Sequence, residues 1–336
     1  MRRLKAKGRL RRLFVAPFAA TVLIATIFSV PAHAVTDSSL EAGADFSIEK
    51  AEVSVRPPVG EKSKEPAAQR QSRKNRWADE IPTRPKASAT KSVNEYWALQ
   101  MNLCSSGIAG CWNGVNAVIE AGDLIYYLGP DLVTLNEVCY SDVDGWLWDS
   151  FMYAWAGDMT YMSFSPAWNA EQQSNYQCLE GRGSYGNAVI GRFPPGEDQG
   201  FVAYTGRYTV QDASNEKRSF GCVYAVDLHL ACVTHLSALS KTIAMTQCNS
   251  LMTSVVPQIL SLENFSGRTI VNGDLNLKYN TSDPQNVQNC VPSGYSRKGD
   301  GDVQHTIYSN DYGFLNTESF GIPSDKLAWL VRLDAP

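Results

Sequence analysis

Apolar positions along the chain fall into three regimes. Phe14 to Val30 is a predominantly apolar run, Val35 to about Asn94 shows no sustained period, and short apolar segments with strand or helix spacing follow from Tyr96 onward. In the third regime Tyr96–Leu103 and Asp131–Glu137 read as strands. Between them, Asn113–Leu128 carries Val115, Val118, Ile119, Ile125 and Leu128 at helical spacing and is ended by Gly129-Pro130. Gly145–Ala156 suggests a short aromatic-rich helix. Strand patterns recur at Met159–Phe164, Asn187–Arg192, Phe201–Val210, Arg218–Asp227 and Leu230–Leu236. A long helix is expected from about Leu239 to Leu262, then strands at Arg268–Asn276, Gly313–Phe320 and Leu327–Leu333. Many strands with one-faced helices predict two packed sheets with helices outside, and about 240 residues suit one such domain.

The amino terminus has its own logic. The first 34 residues hold seven Lys/Arg and no Asp or Glu, and the apolar run ends at Ala32-His33-Ala34. This is the pattern of a secretory signal peptide over residues 1–34, cleaved after Ala34; an uncleaved anchor is the competing reading, with a run at the short limit for spanning a bilayer. Residues 35–95, with scattered Pro, Ser, Lys and Glu, read as a disordered linker, and residues 96–336 as the folded domain. An extracellular, soluble and monomeric mature chain is therefore expected, with no stable membrane insertion after cleavage.

All eight cysteines lie after residue 100, and an even number in an exported chain favours disulfides. Nearest-neighbour closure pairs 104 with 111, 139 with 178, 222 with 232 and 248 with 290, one of about 105 possible pairings. A structural zinc site is disfavoured because no Cys-x-x-Cys is present. Residues 96–336 hold 12 basic and 24 acidic residues, a net of −12. Such a domain does not bind nucleic acid by general attraction, so phosphate chemistry would need bound cations.

Polar residues with chemical potential gather where strands end. Asn102 ends the first strand, Glu137 the second, His235 a later one, Asp274 and Asn276 another, and Asp325 precedes the last. Carboxylates and carboxamides so placed suit a hard divalent cation such as Mg²⁺, which keeps waters for a substrate phosphate. Each has a plainer reading: Asp274 and Asn102 as turn formers, His235 as a core histidine. His229 reads as structural. An uncompensated buried Glu137 would be costly. No Gly-x-Ser-x-Gly supports a serine hydrolase.

The order Gln100-Met-Asn-Leu103, Pro130-Asp-Leu-Val-Thr-Leu-Asn-Glu137, Tyr185-Gly-Asn-Ala-Val-Ile-Gly-Arg192, Thr234-His-Leu236, Asn272-Gly-Asp-Leu-Asn276 and Ser324-Asp-Lys326 resembles the endonuclease/exonuclease/phosphatase superfamily, the DNase I-like group. The resemblance covers residues 96–333. It implies a four-layered α/β sandwich, two mixed β-sheets face to face flanked by helices, with the site at one edge. It also implies that Glu137 binds Mg²⁺ (or Mn²⁺ or Ca²⁺), with Asn102 and Asp325 completing or supporting the shell. Asp274 would orient or deprotonate the attacking water, Asn276 would hold a phosphate oxygen, His235 would donate to the developing oxyanion, and Asn187 would line the phosphate pocket.

Two positions depart from the family pattern. Lys326 stands where the family has His, and His305, in Val303-Gln-His-Thr-Ile307, stands where that His finds its Asp partner. A lysine is not a near-neutral acid or base unless burial lowers its pKa, although its charge can stabilise phosphate. The resemblance thus implies a secreted bacterial metal-dependent phosphoesterase, foremost a nuclease-type phosphodiesterase, acting on nucleic acid or a phospholipid headgroup. The alternative is a catalytically impaired relative that binds a phosphorylated ligand or a protein partner. Trp146, Trp148, Trp155 and Trp168 would be core residues or a base-stacking or lipid-contacting surface.

Overall fold

Two seven-stranded sheets dominate a computed structural model of the chain, which describes residues 46–58, 91–92, 94–194 and 200–335. The expected signal segment 1–34 lies outside the described residues. One sheet has the order β1 (Phe46–Ala51), β9 (Phe201–Tyr208), β11 (Ser219–Ala225), β12 (His229–His235), β13 (Thr269–Asp274), β15 (Gln304–Ser309), β14 (Tyr295–Gly299). The other runs β16 (Gly313–Phe320), β17 (Ala328–Asp334), β3 (Glu95–Asn102), β4 (Leu132–Cys139), β8 (Tyr185–Phe193), β5 (Met159–Pro166), β2 (Ser54–Arg56). Each is mixed: β12–β13 and β3–β4 are parallel, and their neighbours pair antiparallel. A small sheet joins β6 (Trp168–Asn169) to β7 (Ser174–Asn175) and β10 (Glu216–Lys217).

Period-two alternation makes four layers from these strands. Leu99, Met101, Val133, Leu135 and Ile190 face helices α1 (Asn116–Leu128) and α2 (Trp148–Ala154). On the opposite outer face, Cys222, Cys232, Val271 and Ile307 pack on α3 (Lys241–Ser250) and α4 (Val256–Leu262). Ala98, Leu132, Val189, Ala203, Val223, Val233 and Ile270 fill the space between the sheets. The expected α/β sandwich with flanking helices is therefore present. Helix α1 stops at Gly129, whose left-handed φ of 56° lets its N–H reach the Ile125 carbonyl.

Several expectations need correction. Residues 46–56 are not disordered linker: β1 pairs along β9 and β2 along β5, so these strands cover one edge of each sheet. Their burial is one-sided and shallow, which hid them among polar neighbours. Strands β14 and β15 escaped notice because Gln304, His305 and Thr306 are polar yet buried. The long helix is interrupted: a π turn at Leu251–Val255 separates α3 from α4, where Pro257 lacks an N–H to continue the ladder. Ser240 caps α3 by accepting from Ile243 N–H at 3.3 Å. Trp148 lies in the core under Arg56, while Trp146 and Trp155 donate to the Ile119 and Pro130 carbonyls. Trp168 belongs to none of the core clusters and lies against Arg207. Among the described residues no helix is long and apolar enough to cross a membrane.

The cysteines pair as 104–111, 139–178, 222–232 and 248–290. Closure of the 39- and 42-residue separations removes more unfolded-chain entropy than closure of the 10-residue one. Replacing Cys139 and Cys178 by Ala should cost about 4 kcal/mol, against about 3 kcal/mol for Cys222 and Cys232, on the chain-entropy estimate; urea midpoints measure the order.

His229 supplies a pH test. It is sealed at the start of β12, with Tyr161 Oη 2.7 Å from Nε2 and Tyr96 Oη 3.4 Å from Nδ1, and burial holds its pKa down to about 4. The unfolded imidazole titrates near 6.5, so on acidification the unfolded chain takes the proton first. Stability from this group should be complete above about pH 6.5 and fall by roughly 3 kcal/mol as pH drops through the folded value. In chemical denaturation at pH 7 and 4.5, His229→Gln should show a smaller pH dependence than the parent.

Candidate active site

At one end of the sandwich the inter-sheet face changes from apolar to polar along the same alternating positions. Ala98 is followed by Gln100 and Asn102, Leu132 by Thr134 and Asn136, Ile270 by Asn272 and Asp274, and Val233 by His235. All of these polar residues are buried, and apart from the Asn272 side chain, which has no hydrogen-bond partner among the described residues, they are held by bonds within the seam. Asn136 does most of this. Its Nδ2 donates to Asn187 Oδ1 at 2.8 Å and to the Thr234 carbonyl at 3.0 Å, while its Oδ1 accepts from Asp274 N–H at 2.8 Å and Gln100 Nε2 at 2.7 Å.

A β-bulge presents the neighbouring carboxylate. The β4–β8 register shifts between Leu135 and Val138, and Glu137 takes a left-handed φ of 53°, uncommon outside glycine and asparagine. Glu137 Oε1 thereby accepts from Asn102 Nδ2 at 2.9 Å, and the same amide reaches Asp274 Oδ2 at 3.1 Å. Gly273 is required here: a Cβ would overlap the Thr234 carbonyl of the adjacent strand. Asn276, with φ 51°, donates its backbone N–H to Asp274 Oδ1 at 3.1 Å and its Nδ2 to the Leu236 carbonyl at 2.9 Å.

Burial pushes Glu137 above the ordinary carboxylate range; the Asn102 bond and Arg218 oppose this, and Glu216 and Asp325 add to it. Burial likewise pushes Asp274 up to about 6, against the Asn276 N–H, Asn102 and Lys326. His235 Nε2 lies 3.8 Å from Glu137 Oε1. Its Nδ1 is 2.9 Å from Arg218 Nη1, which also pairs with Glu216. A guanidinium only donates, so Nδ1 is the acceptor and Nε2 carries the proton. Burial and then the Arg218 and Lys326 charges hold His235 well below its usual value, so the ring is neutral. Asn187 Nδ2 turns to Ser219, 3.3 Å from both its carbonyl and hydroxyl oxygens.

The Ser324-Asp325-Lys326 turn is tied to this cluster by Ser324 Oγ, which donates to the Asn102 carbonyl at 2.8 Å. Lys326 Nζ lies 2.7 Å from Asp325 Oδ2. Burial alone would lower the lysine pKa, but Asp325 and then Asp274 leave it raised, so it stays an ammonium.

His305 and Asn102 both hold neighbouring groups. His305 is only 1% exposed; its Nε2 lies 2.7 Å from the Leu277 carbonyl and its Nδ1 3.0 Å from Arg297 Nη1. It holds the turn after Asp274 from inside the protein. Asn102 holds the two carboxylates through its amide nitrogen, and its Oδ1 accepts from Cys104 N–H at 3.1 Å. It therefore supports the Glu137 carboxylate, one of the two places the resemblance allows it.

The donor set nevertheless fits a hard cation. Asp274 is buried and Glu137 half-buried, both are held on one amide, Asp325 acts on Glu137 through its charge, and the donors are oxygens. A softer site is not formed. Among the described residues the only three His, Cys, Asp or Glu ligand atoms grouped within 4.8 Å are those of Cys104, Cys111 and Asp325, and the sulfurs are joined to each other.

No protein-family model and no curated protein matches the chain. Solved structures do resemble it. They include an endonuclease/exonuclease/phosphatase from Beutenbergia cavernae DSM 12333, at 15% identity over 72% of each chain with a TM-score of 0.49. The human Nocturnin catalytic domain with bound sulfate is 15% identical over 74% of this chain and 99% of that one, with a TM-score of 0.48. Truncated Caenorhabditis elegans TDP2 is 14% identical over 72% and 98%, with a TM-score of 0.47.

Sequence reasoning assigned no role to Asn136 or Arg218, and quoted Ser324 only as part of its motif. Asn136 had a usable signal, its place two residues beyond Thr134 on an inward-facing alternation; Ser324 was marked by its motif, and nothing local marked Arg218. Asn136→Ala should strip partners from Asp274 N–H, Gln100, Asn187 and the Thr234 carbonyl, and cost roughly 3 kcal/mol. Thermal unfolding measures the loss, and Asn136→Asp should not restore it because a carboxylate cannot donate to Asn187 and Thr234.

Proposed function

We propose that the chain is a secreted, divalent-metal-dependent phosphoesterase, foremost a nuclease-type phosphodiesterase. The observation that carries this is the Asn102 amide holding Glu137 and Asp274 together, with the protonated His235 Nε2 3.8 Å from Glu137. Two carboxylates and a neutral donor converging on one sheet edge suit attack of water on a phosphodiester. Glu137, with Asp325 near it, would hold Mg²⁺, Mn²⁺ or Ca²⁺, which supplies positive charge for phosphate oxygens in this acidic domain.

The chain's own groups divide the remaining work. Asp274, fixed by Asn136 on its backbone and by Asn102 and Asn276 on its carboxylate, is placed to accept a proton from the attacking water. His235, set by Arg218 as an Nε2–H donor, is placed to stabilise the charge that develops on phosphorus-bound oxygen. The Lys326 ammonium adds charge attraction but no proton exchange near neutral pH.

That last point favours a second reading, in which the pocket binds a phosphorylated ligand or protein partner with little turnover. The oxidised mature protein should hydrolyse a phosphodiester among plasmid DNA, RNA, sphingomyelin and an activated diester with Mg²⁺, and EDTA should abolish the activity. Asp274→Ala should lower kcat by roughly a hundredfold to ten-thousandfold. Turnover absent in the parent but present in Lys326→His would establish the second reading.

A further inference from the structure

We infer that the chain carries a second binding site, for a small organic carboxylate, in a cavity at the end of the sandwich opposite the catalytic cluster. The cavity has a volume of about 130 Å³, and its walls come from the first residues of β3 and β12 and from the residues just before β4 and β13. His229 and His235 are the two ends of β12, a strand length of about 20 Å apart, so this site is separate from the one described above. A water molecule takes about 30 Å³ in the liquid, so the cavity has room for a ligand of few heavy atoms.

The hydrogen bonds around the cavity leave donors on its polar wall. Tyr161 is fully buried, and its Oη lies 2.7 Å from His229 Nε2, its one hydrogen-bond partner among the described residues. The Tyr161 hydrogen therefore goes to Nε2, and the neutral imidazole carries its own proton on Nδ1. Nδ1 donates toward Tyr96 Oη at 3.4 Å, which leaves the Tyr96 hydroxyl hydrogen for a further acceptor. Tyr312, also on the cavity wall, is 4% exposed, and its hydroxyl has no hydrogen-bond partner among the described residues. A buried hydroxyl so placed is costly until an acceptor completes it. Arg268 adds a guanidinium, which only donates, 5.9 Å from the Tyr312 ring centroid.

The carboxylates that line the cavity are already engaged. Asp131 accepts from Lys91, Arg192 and the Trp97 N–H, and Glu95 Oε2 accepts from the Trp97 indole at 2.7 Å. Two tyrosine hydroxyls beside a guanidinium suit a group that accepts and does not donate, and a carboxylate is such a group. Pro194, Leu228 and Ala335 line the rest of the cavity, which suits a short hydrocarbon tail and sets an organic acid apart from inorganic phosphate. Tyr96 belongs to one sheet, whereas Arg268 and Tyr312 adjoin β13 and β15 of the other. A bound carboxylate thus ties the two sheets together at this end.

The test uses the full oxidised chain, free of metal, in a buffer without carboxylate or phosphate, with acetate, butyrate and inorganic phosphate as probes. In titration calorimetry butyrate should bind with a Kd on the order of a millimolar, about tenfold more tightly than acetate, because it buries two further methylenes. Against equal chloride, butyrate at about a hundred times Kd should raise Tm by about 5 °C. Tyr96→Phe, Tyr312→Phe and Arg268→Gln should each weaken butyrate binding by about tenfold. Lys326→Gln, at the catalytic end, should leave it unchanged. Without ligand, Tyr312→Phe should melt no lower than the parent, since its hydroxyl bonds nothing among the described residues; a lower Tm would overturn the inference. No saturable butyrate binding up to about 50 mM, or binding that all three cavity variants leave unchanged, would also overturn it. Phosphate bound more tightly than butyrate, with the same loss in the variants, would overturn the carboxylate in favour of an inorganic anion. Binding lost in Lys326→Gln alone would move the ligand to the catalytic end and overturn the second site. Neither readout uses turnover, so the outcome is independent of the phosphoesterase reading.

Discussion

The arrangement turns on one buried carboxamide. Asn136 lies between the sheets, donates to two partners and accepts from two, and these partners sit on β3, β8, β12 and β13. No other side-chain chemistry offers two donors and two acceptors in so small a volume. Away from water such bonds are stronger, and the cost of leaving one unmade is higher. The amide thus joins the sheets in a single register at the end where the carboxylates emerge. Asp274 is placed by its own backbone N–H, which Asn136 accepts.

The catalytic candidates follow from that seam. Packing two sheets produces an apolar interior over most of their length, and replacing the innermost residues by amides near one rim gives a polar interior without a break in the strands. Charge can then be introduced beyond the amides. The bulge at Asn136 and Glu137 does this, since two consecutive residues face one partner and both serve the site. The unfavourable backbone angle of Glu137 is held by the surrounding ladder, as strained functional residues are elsewhere. Burial raises both carboxylates and depresses His235, so the site gains electrostatically from a bound cation.

The loops that surround the site are fastened in different ways on its two sides. Cys104–Cys111 and Cys139–Cys178 secure the segments that leave β3 and β4, next to Asn102 and Glu137. Cys248–Cys290 fastens the segment after Asn276 to α3. Arg182 adds a bond to the Ser105 carbonyl at 2.7 Å and an ion pair with Asp142 at 2.9 Å. Loops bearing site residues are mobile by default, and covalent closure reduces that freedom where the chain must hold like charges close together.

Local sequence was enough for the elements with a clear period and for the strand-end residues. The runs through Leu99, Val133 and Val233 announce buried strands, and Asn102, Glu137, His235 and Asp274 follow them at their ends. Nearest-neighbour cysteine pairing also agrees with the structure, because short separations are the easiest to close. What a residue touches across the sheets was beyond reach. Only tertiary packing turned Asn102 nitrogen-first toward two carboxylates, buried His305 against the Leu277 carbonyl, and brought Arg218 to His235. Strands β1 and β2 were invisible for the same reason: edge strands bury one shallow face, and their stability comes from a partner ladder that local pattern does not contain. Sequence periodicity determines which face a side chain takes, whereas the identity of its partner depends on contacts between residues far apart in the chain, and these exist only once the sheets have packed.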